Sequence, residues 1–170
     1  MIFGNKDKFG IECVNMKTVY NEQMKWCYGN IYYLLDGCII GDDKTEETIN
    51  SIIVGLKRIS FYKDKRNSDY LYSLESQTAL NIVYDSLYKD DDRSIEQINN
   101  DSDYYIRFVS IPIGFDSFMD WKAILIEEGD ISRYIWSYKD SEVKEIFLNY
   151  GEFDTILKEC INWLNSLLLS

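Results

Sequence analysis

The stretch FDTILKECINWLNSLL, residues 153–168, decides the fold. Its apolar residues recur every three or four positions: Phe153, Ile156, Leu157, Cys160, Ile161, Leu164, Leu167 and Leu168. This spacing predicts an amphipathic helix with a broad apolar face. Because such a helix is stabilised mainly by packing its apolar face against another element, the rest of the chain must supply an apolar surface.

Two stretches near the N-terminus have the composition of β-strands. Residues 9–14 partly alternate apolar and polar side chains, as a half-buried strand does. Residues 26–35 are rich in the aromatic and β-branched side chains that strands favour. The dipeptide Asp36-Gly37 is a strong signal for a two-residue hairpin, with residues 38–41 as the return strand. The first third of the chain is therefore predicted to be an antiparallel meander.

Further strands and helices are predicted in the rest of the chain. Four runs indicate strands: residues 104–111, 121–127, 131–137 and 143–148. A helix is predicted to begin near Asp43, with Asp43 as N-cap and Glu46 completing a capping box, because apolar residues follow at helical spacing over residues 49–59. A second helix is predicted over residues 74–88. The polar, acidic residues 89–103 are predicted to form a surface loop with a short helical turn.

Together these elements predict a single α+β domain over residues 1–170. A mostly antiparallel β-sheet would carry about three helices on one face, including the long C-terminal amphipathic helix. The length suits one domain, since compact domains usually have about 100–200 residues. The sequence contains no internal repeat and no Pro-rich or Gly-Ser linker.

The charge of the chain is strongly negative. Its 29 acidic and 18 basic residues give a net charge of −11. A negative surface repels phosphate backbones and anionic lipid headgroups, so nucleic acid and membrane are not expected partners. A basic protein is the expected partner. The alternative is that the acidic surface serves only to keep the protein in solution.

The residue types that carry most enzyme chemistry are missing or dispersed. There is no histidine, which excludes Ser-His-Asp and Cys-His catalytic arrangements. The four cysteines, Cys13, Cys27, Cys38 and Cys160, include no C-x-x-C pair, and they are expected to be reduced and buried. No nucleotide-binding glycine motif is present. We therefore expect no cofactor, no metal ion and no catalytic residue.

The N-terminal residues do not have the pattern of a secretion signal. Charged side chains occur by Lys6, and no long apolar run follows them. No uninterrupted apolar run reaches the ~20 residues that span a bilayer. These observations predict a cytoplasmic protein.

Three stretches resemble the immunity protein 42 family. They are the opening MIFGNKDKFGIE, residues 1–12, the hairpin LDGCIIGD, residues 35–42, and residues 121–136, a hairpin with Gly129-Asp130 at its turn and Arg133 after it. The resemblance covers the whole chain. It implies an α+β protein encoded beside a bacterial polymorphic toxin, which binds and neutralises that toxin. It implies no catalytic residues.

The residues and the resemblance together predict a cytoplasmic immunity protein that neutralises a cognate toxin by stoichiometric binding. The expected contact surface is acidic. It combines a first acidic group, Asp42, Asp43, Glu46 and Glu47, with a second acidic group, Asp90, Asp91 and Asp92. Two alternatives stay open: a magnesium-dependent enzyme that uses a carboxylate pair, and a structural or regulatory adaptor with no toxin partner. The sequence does not indicate an oligomeric state.

Overall fold

The computed structural model describes residues 1–21, 24–139 and 141–169. The strands in these residues are β1 (Ile2–Asn5), β2 (Phe9–Asn21), β3 (Met24–Leu35), β4 (Cys38–Ile40), β5 (Glu47–Thr48), β6 (Trp121–Glu128), β7 (Ile131–Tyr138) and β8 (Lys144–Asn149). The α-helices are α1 (Ile49–Phe61), α2 (Asp69–Ser73), α3 (Ser76–Tyr88), α4 (Ile95–Tyr105) and α5 (Glu152–Leu169). The chain divides into two compact units. Unit 1 contains Met1–Phe61, Pro112–Met119 and Gly151–Ser170, and unit 2 contains Tyr62–Ile111 and Asp120–Tyr150.

Unit 1 is built on an antiparallel sheet with the strand order β1-β2-β3-β4, in which β5 also pairs with β3. The β2–β3 ladder starts at Phe9↔Leu35 and is irregular between Val14 and Lys17. The hairpin from β3 to β4 turns at Asp36 and Gly37, which have φ angles of 48° and 72°. Positive φ at both positions is what a type I′ turn requires, so the predicted meander and its hairpin are confirmed.

One face of this sheet is apolar and packs against helices. Its buried side chains are Phe9, Ile11, Cys13, Ile31, Tyr33 and Leu35. The ring centroids of Phe9 and Phe153 lie 5.1 Å apart, and the Sγ atoms of Cys13 and Cys160 lie 3.8 Å apart, so α5 covers this face. Helix α1 contacts both α5 and β3. The predicted C-terminal helix is therefore confirmed, and the sheet supplies the apolar surface that it needs.

The first helix begins later than predicted, at Ile49 and not near Asp43. The carboxylate of Asp42 accepts hydrogen bonds from the Lys44 amide, at 2.9 Å, and from Thr45 Oγ1, at 2.6 Å. An aspartate bonded in this way closes a turn of its own backbone, and so it competes with the start of a helix. The predicted capping box between Asp43 and Glu46 is wrong, because Glu47 and Thr48, which follow it, pair with β3 as strand β5.

Unit 2 contains a second antiparallel sheet, β6-β7-β8, together with α2, α3 and α4. The β6–β7 ladder runs from Trp121↔Tyr138 to Glu128↔Ile131 at the turn, which confirms the predicted hairpin. Strand β8 and helix α3 also match their predictions closely.

The strand predicted over residues 104–111 is wrong. Helix α4 continues to Tyr105, and a 3₁₀ turn, Ile106–Phe108, follows it. The helix starts with a capping box between Ser94 and Gln97. This local signal outweighs the aromatic and β-branched composition of the run, which by itself favours a strand. Val109 does pair with Ile124, but in an isolated bridge.

The α+β class is confirmed, and every pairing between the named strands is antiparallel. Two details of the prediction differ from the structure. The described residues form two sheets where one was predicted, and five α-helices where about three were predicted. Helix α4 was predicted as loop, and α2 is a short helix that no periodicity signals. A single domain over residues 1–170 stays a prediction.

Candidate functional site

The first acidic group lies in unit 1, where the chain passes from β4 to α1. Asp42, Asp43 and Glu46 are exposed, and Glu47 is half-buried. The hydrogen bonds that Asp42 accepts from Thr45 and the Lys44 amide hold the pKa of its carboxyl below the ordinary value. The charge of Asp42 therefore serves the local turn, although its side chain remains in contact with solvent.

Two further members of the first acidic group have partners within unit 1. The Glu46 carboxylate lies 2.5 Å from Lys17 Nζ. Glu47 Oε1 accepts a hydrogen bond of 2.8 Å from the backbone amide of Ser117. These contacts tie the β4–α1 connection to strand β2 and to the segment Pro112–Met119.

Asp43 differs from its neighbours in the first acidic group. In the part of the chain that the structure describes, its carboxylate makes no hydrogen bond and no ion pair. Its charge still acts on Tyr32, a buried tyrosine on β3. Burial first, then the hydrogen bond and charge of Glu12, and then the charge of Asp43 raise the pKa of Tyr32 to about 12. Asp43 is therefore the carboxylate of this group that is available to a partner.

The second acidic group lies in unit 2, in the loop between α3 and α4, and all three carboxylates are exposed. Asp91 Oδ1 accepts a hydrogen bond of 2.7 Å from Arg93 Nε, which holds the pKa of the Asp91 carboxyl below its ordinary value. Asp90 and Asp92 make no hydrogen bond or ion pair with any described residue. Two of the three carboxylates are thus available to a partner.

Arg93 organises this loop, and sequence reasoning did not single it out. Its guanidinium donates to the backbone carbonyls of Ser86, at 2.9 Å, Lys89, at 3.2 Å, and Asp85, at 3.3 Å, all at the C-terminal end of α3. Its Nη1 also donates to Asp101 of α4, at 2.7 Å. A cation at a helix C-terminus satisfies carbonyls that have no partner within the helix. The one signal in the sequence is a lone arginine within an acidic run.

The structure therefore places the seven predicted residues in two separate acidic groups, one in each unit. Within the groups, Asp42, Glu46, Glu47 and Asp91 have intramolecular partners. The carboxylates of Asp43, Asp90 and Asp92 face solvent without such partners among the described residues. Exposed carboxylates of this kind attract a cationic surface over roughly 10 Å at moderate ionic strength.

Unit 2 also contains arginines that are buried and serve the fold. Arg133 of β7 is 7% exposed and donates to Glu145 Oε2, at 2.6 Å. It also donates to the backbone carbonyls of Tyr72 and Leu74, at 2.8 and 2.7 Å. Arg66 is fully buried and lies 3.8 Å from Glu127. Because these charges are enclosed, they position elements of unit 2 and are not accessible to a partner.

No three Asp, Glu or Cys side chains among the described residues lie together as metal ligands. The contact with Cys13 and burial raise the pKa of the Cys160 thiol, which keeps it in its neutral form. An open cleft of about 270 Å³ in unit 2 is lined by Tyr84, Asp85, Tyr88, Lys89 and Lys122. No helix in the described ranges is both long and apolar enough to cross a membrane.

Comparisons with known proteins agree with this fold. A solved structure described as CdiI from Burkholderia dolosa AUO158 superposes with a TM-score of 0.68 at 16% sequence identity, covering 95% of this chain and 99% of that one. At this identity the likeness establishes the fold alone. No curated protein sequence matches the chain. The family model for immunity protein 42 matches residues 1–163. Because this match spans both units, the chain belongs to the immunity protein 42 family.

Proposed function

We propose that this immunity protein acts in the cytoplasm and neutralises its cognate toxin by stoichiometric binding, through exposed carboxylates and without catalysis. The observation that carries the proposal is the family match over residues 1–163. The similar structure described as CdiI supports the fold alone, since it is 16% identical to this chain.

The electrostatics of the described residues support a basic toxin. The net charge is −11, and Asp43, Asp90 and Asp92 have no partner among the described residues. A toxin that acts on nucleic acid needs a positive surface, and an acidic protein that covers such a surface would exclude the substrate and associate rapidly. The first and second acidic groups, Asp42, Asp43, Glu46, Glu47, Asp90, Asp91 and Asp92, are the proposed contact residues.

Coexpression tests the proposal. The product of the adjacent toxin gene is expressed from an inducible promoter in a bacterial host, with and without this chain. We expect the toxin alone to stop growth and the chain to restore it. A toxin that remains lethal beside well-expressed chain would refute the proposal.

A titration with purified proteins separates binding from the enzyme alternative. A stoichiometric inhibitor lowers toxin activity linearly until one equivalent has been added, and native mass spectrometry should then detect a 1:1 complex. A magnesium-dependent enzyme that destroys the toxin or its product would protect at far lower ratios and would lose its effect in a chelator. An adaptor with no toxin partner would leave the activity unchanged at every ratio.

A further inference from the structure

Helix α4 lies on the surface of unit 2 and buries none of its eleven residues. Helices in globular proteins usually owe most of their stability to an apolar face packed on the core. Here Ile95 is 79% exposed and Ile98, although partly covered, is still 36% exposed. The helix therefore presents apolar area that the described residues of the chain do not cover.

Polar contacts hold α4 in position, although none of its side chains is fully buried. The backbone amide of Gln97 donates to Ser94 Oγ at 3.2 Å, and the backbone amide of Ser94 donates to Gln97 Oε1 at 2.9 Å. These two hydrogen bonds complete a capping box. Arg93 joins the C-terminal end of α3 to Asp101 of α4. The helix and the loop before it are thus held in place before any partner binds, which lowers the entropy cost of binding.

Unpaired negative charge lies on α4 and in the loop before it. Asp90, Asp92, Glu96 and Asp103 are exposed and form no hydrogen bond or ion pair with a described residue. The positive charge of Arg93 is already paired with Asp91 and Asp101. Protein interfaces combine apolar contacts with polar and charged ones, and these carboxylates select a basic partner.

We infer that the α4 surface, defined as Ile95, Ile98, Asp90, Asp92, Glu96 and Asp103, is the principal contact for a cationic protein, the toxin. The inference rests on the proposed function and makes it more specific. The α4 surface is a better candidate for the contact than the first acidic group, because three of the four carboxylates in that group already bind residues of unit 1. The isoleucines supply the apolar contact, and the carboxylates supply charge complementarity.

Matched single variants test the inference by surface plasmon resonance with the purified toxin. Ile95→Ser should weaken binding at least tenfold, while Ile39→Ser, an exposed isoleucine of unit 1, should change it less than twofold. Asp92→Lys should slow association at least threefold, and Asp43→Lys, which changes the net charge by the same amount, should slow it less. Circular dichroism confirms that each variant is folded, which is expected because all four side chains are exposed.

Hydrogen exchange on the wild-type complex gives a second measurement that needs no variant. The amides of Ile95–Tyr105 should exchange more slowly with toxin bound. If the wild-type chain binds the toxin but α4 gains no protection, or if Ile95→Ser and Asp92→Lys bind as tightly as wild type, the inference is wrong and the proposed function stands. If the wild-type chain binds no toxin, both are wrong.

Discussion

Arg133 shows how one buried side chain can hold several segments of unit 2 together. It projects from β7, which is central in its sheet, and its guanidinium reaches Glu145 on β8 and two carbonyls at the end of α2. It also donates to Ser76 Oγ at 3.0 Å, at the start of α3. All four hydrogen bonds are partly buried, so truncation would leave partly shielded acceptors without their charged donor.

We expect Arg133→Ala to lower the free energy of unfolding by about 3 kcal/mol, because four partly buried acceptors lose a charged donor. Urea denaturation followed by circular dichroism measures the change. Arg58→Ala is the control, since Arg58 is exposed at the end of α1, and it should cost at most about 1 kcal/mol. Equal losses in the two variants would contradict the structural role given to Arg133.

Contacts of this kind could not be predicted from the sequence. Arg133 was assigned to its strand correctly, yet its partners Tyr72 and Leu74 lie about sixty residues earlier and bind through backbone atoms, which carry no sequence signature. The same holds for Arg93. For the candidate site, exposure of Asp43, Asp90 and Asp92 followed from their residue type, but the intramolecular use of Glu47 depends on Ser117, a distant residue.

At the scale of elements, α5 completes the core of unit 1. Its buried apolar residues follow the periodicity of the sequence: Phe153, Ile156, Leu157, Cys160, Ile161 and Leu164. Two leucines on the same helix provide a direct comparison, because Leu157 is fully buried and Leu169 is 89% exposed.

Leu157→Ala should destabilise the protein by about 2–5 kcal/mol, since it removes buried methyl groups and leaves a cavity. Leu169→Ala should stay within about 0.5 kcal/mol of wild type. Thermal and urea unfolding of both variants measure the difference. Similar stabilities would mean that α5 does not pack on the sheet through this face.

The elements were predictable where local chemistry and periodicity agree. The Asp36-Gly37 turn and the stripe on α5 each depend on a few neighbouring residues, and both are confirmed. The predictions failed where two local signals compete. Residues 104–111 have the composition of a strand, but helix α4, which Ser94 caps, extends through Tyr104 and Tyr105.

For the whole molecule, the excess of negative charge bears on the rate of toxin binding. If long-range attraction guides the encounter, the association rate constant should fall about tenfold or more between 0.01 and 1 M salt, as the Debye length shrinks from about 30 to 3 Å. The dissociation rate, measured in the same stopped-flow series, should change much less. An association rate that does not depend on salt would show that the net charge of −11 has no part in recognition.

The arrangement of unit 1 in three separate stretches has a consequence for synthesis on the ribosome. Strands β1 to β5 are translated first, but α5, which covers their apolar face, is translated last. After α1 and before α5 the ribosome adds residues 62–150, which takes roughly 5–20 s at ordinary elongation rates. During that interval the nascent chain exposes the side chains that Phe153 and Cys160 later cover, so this stage is when it has most need of a chaperone.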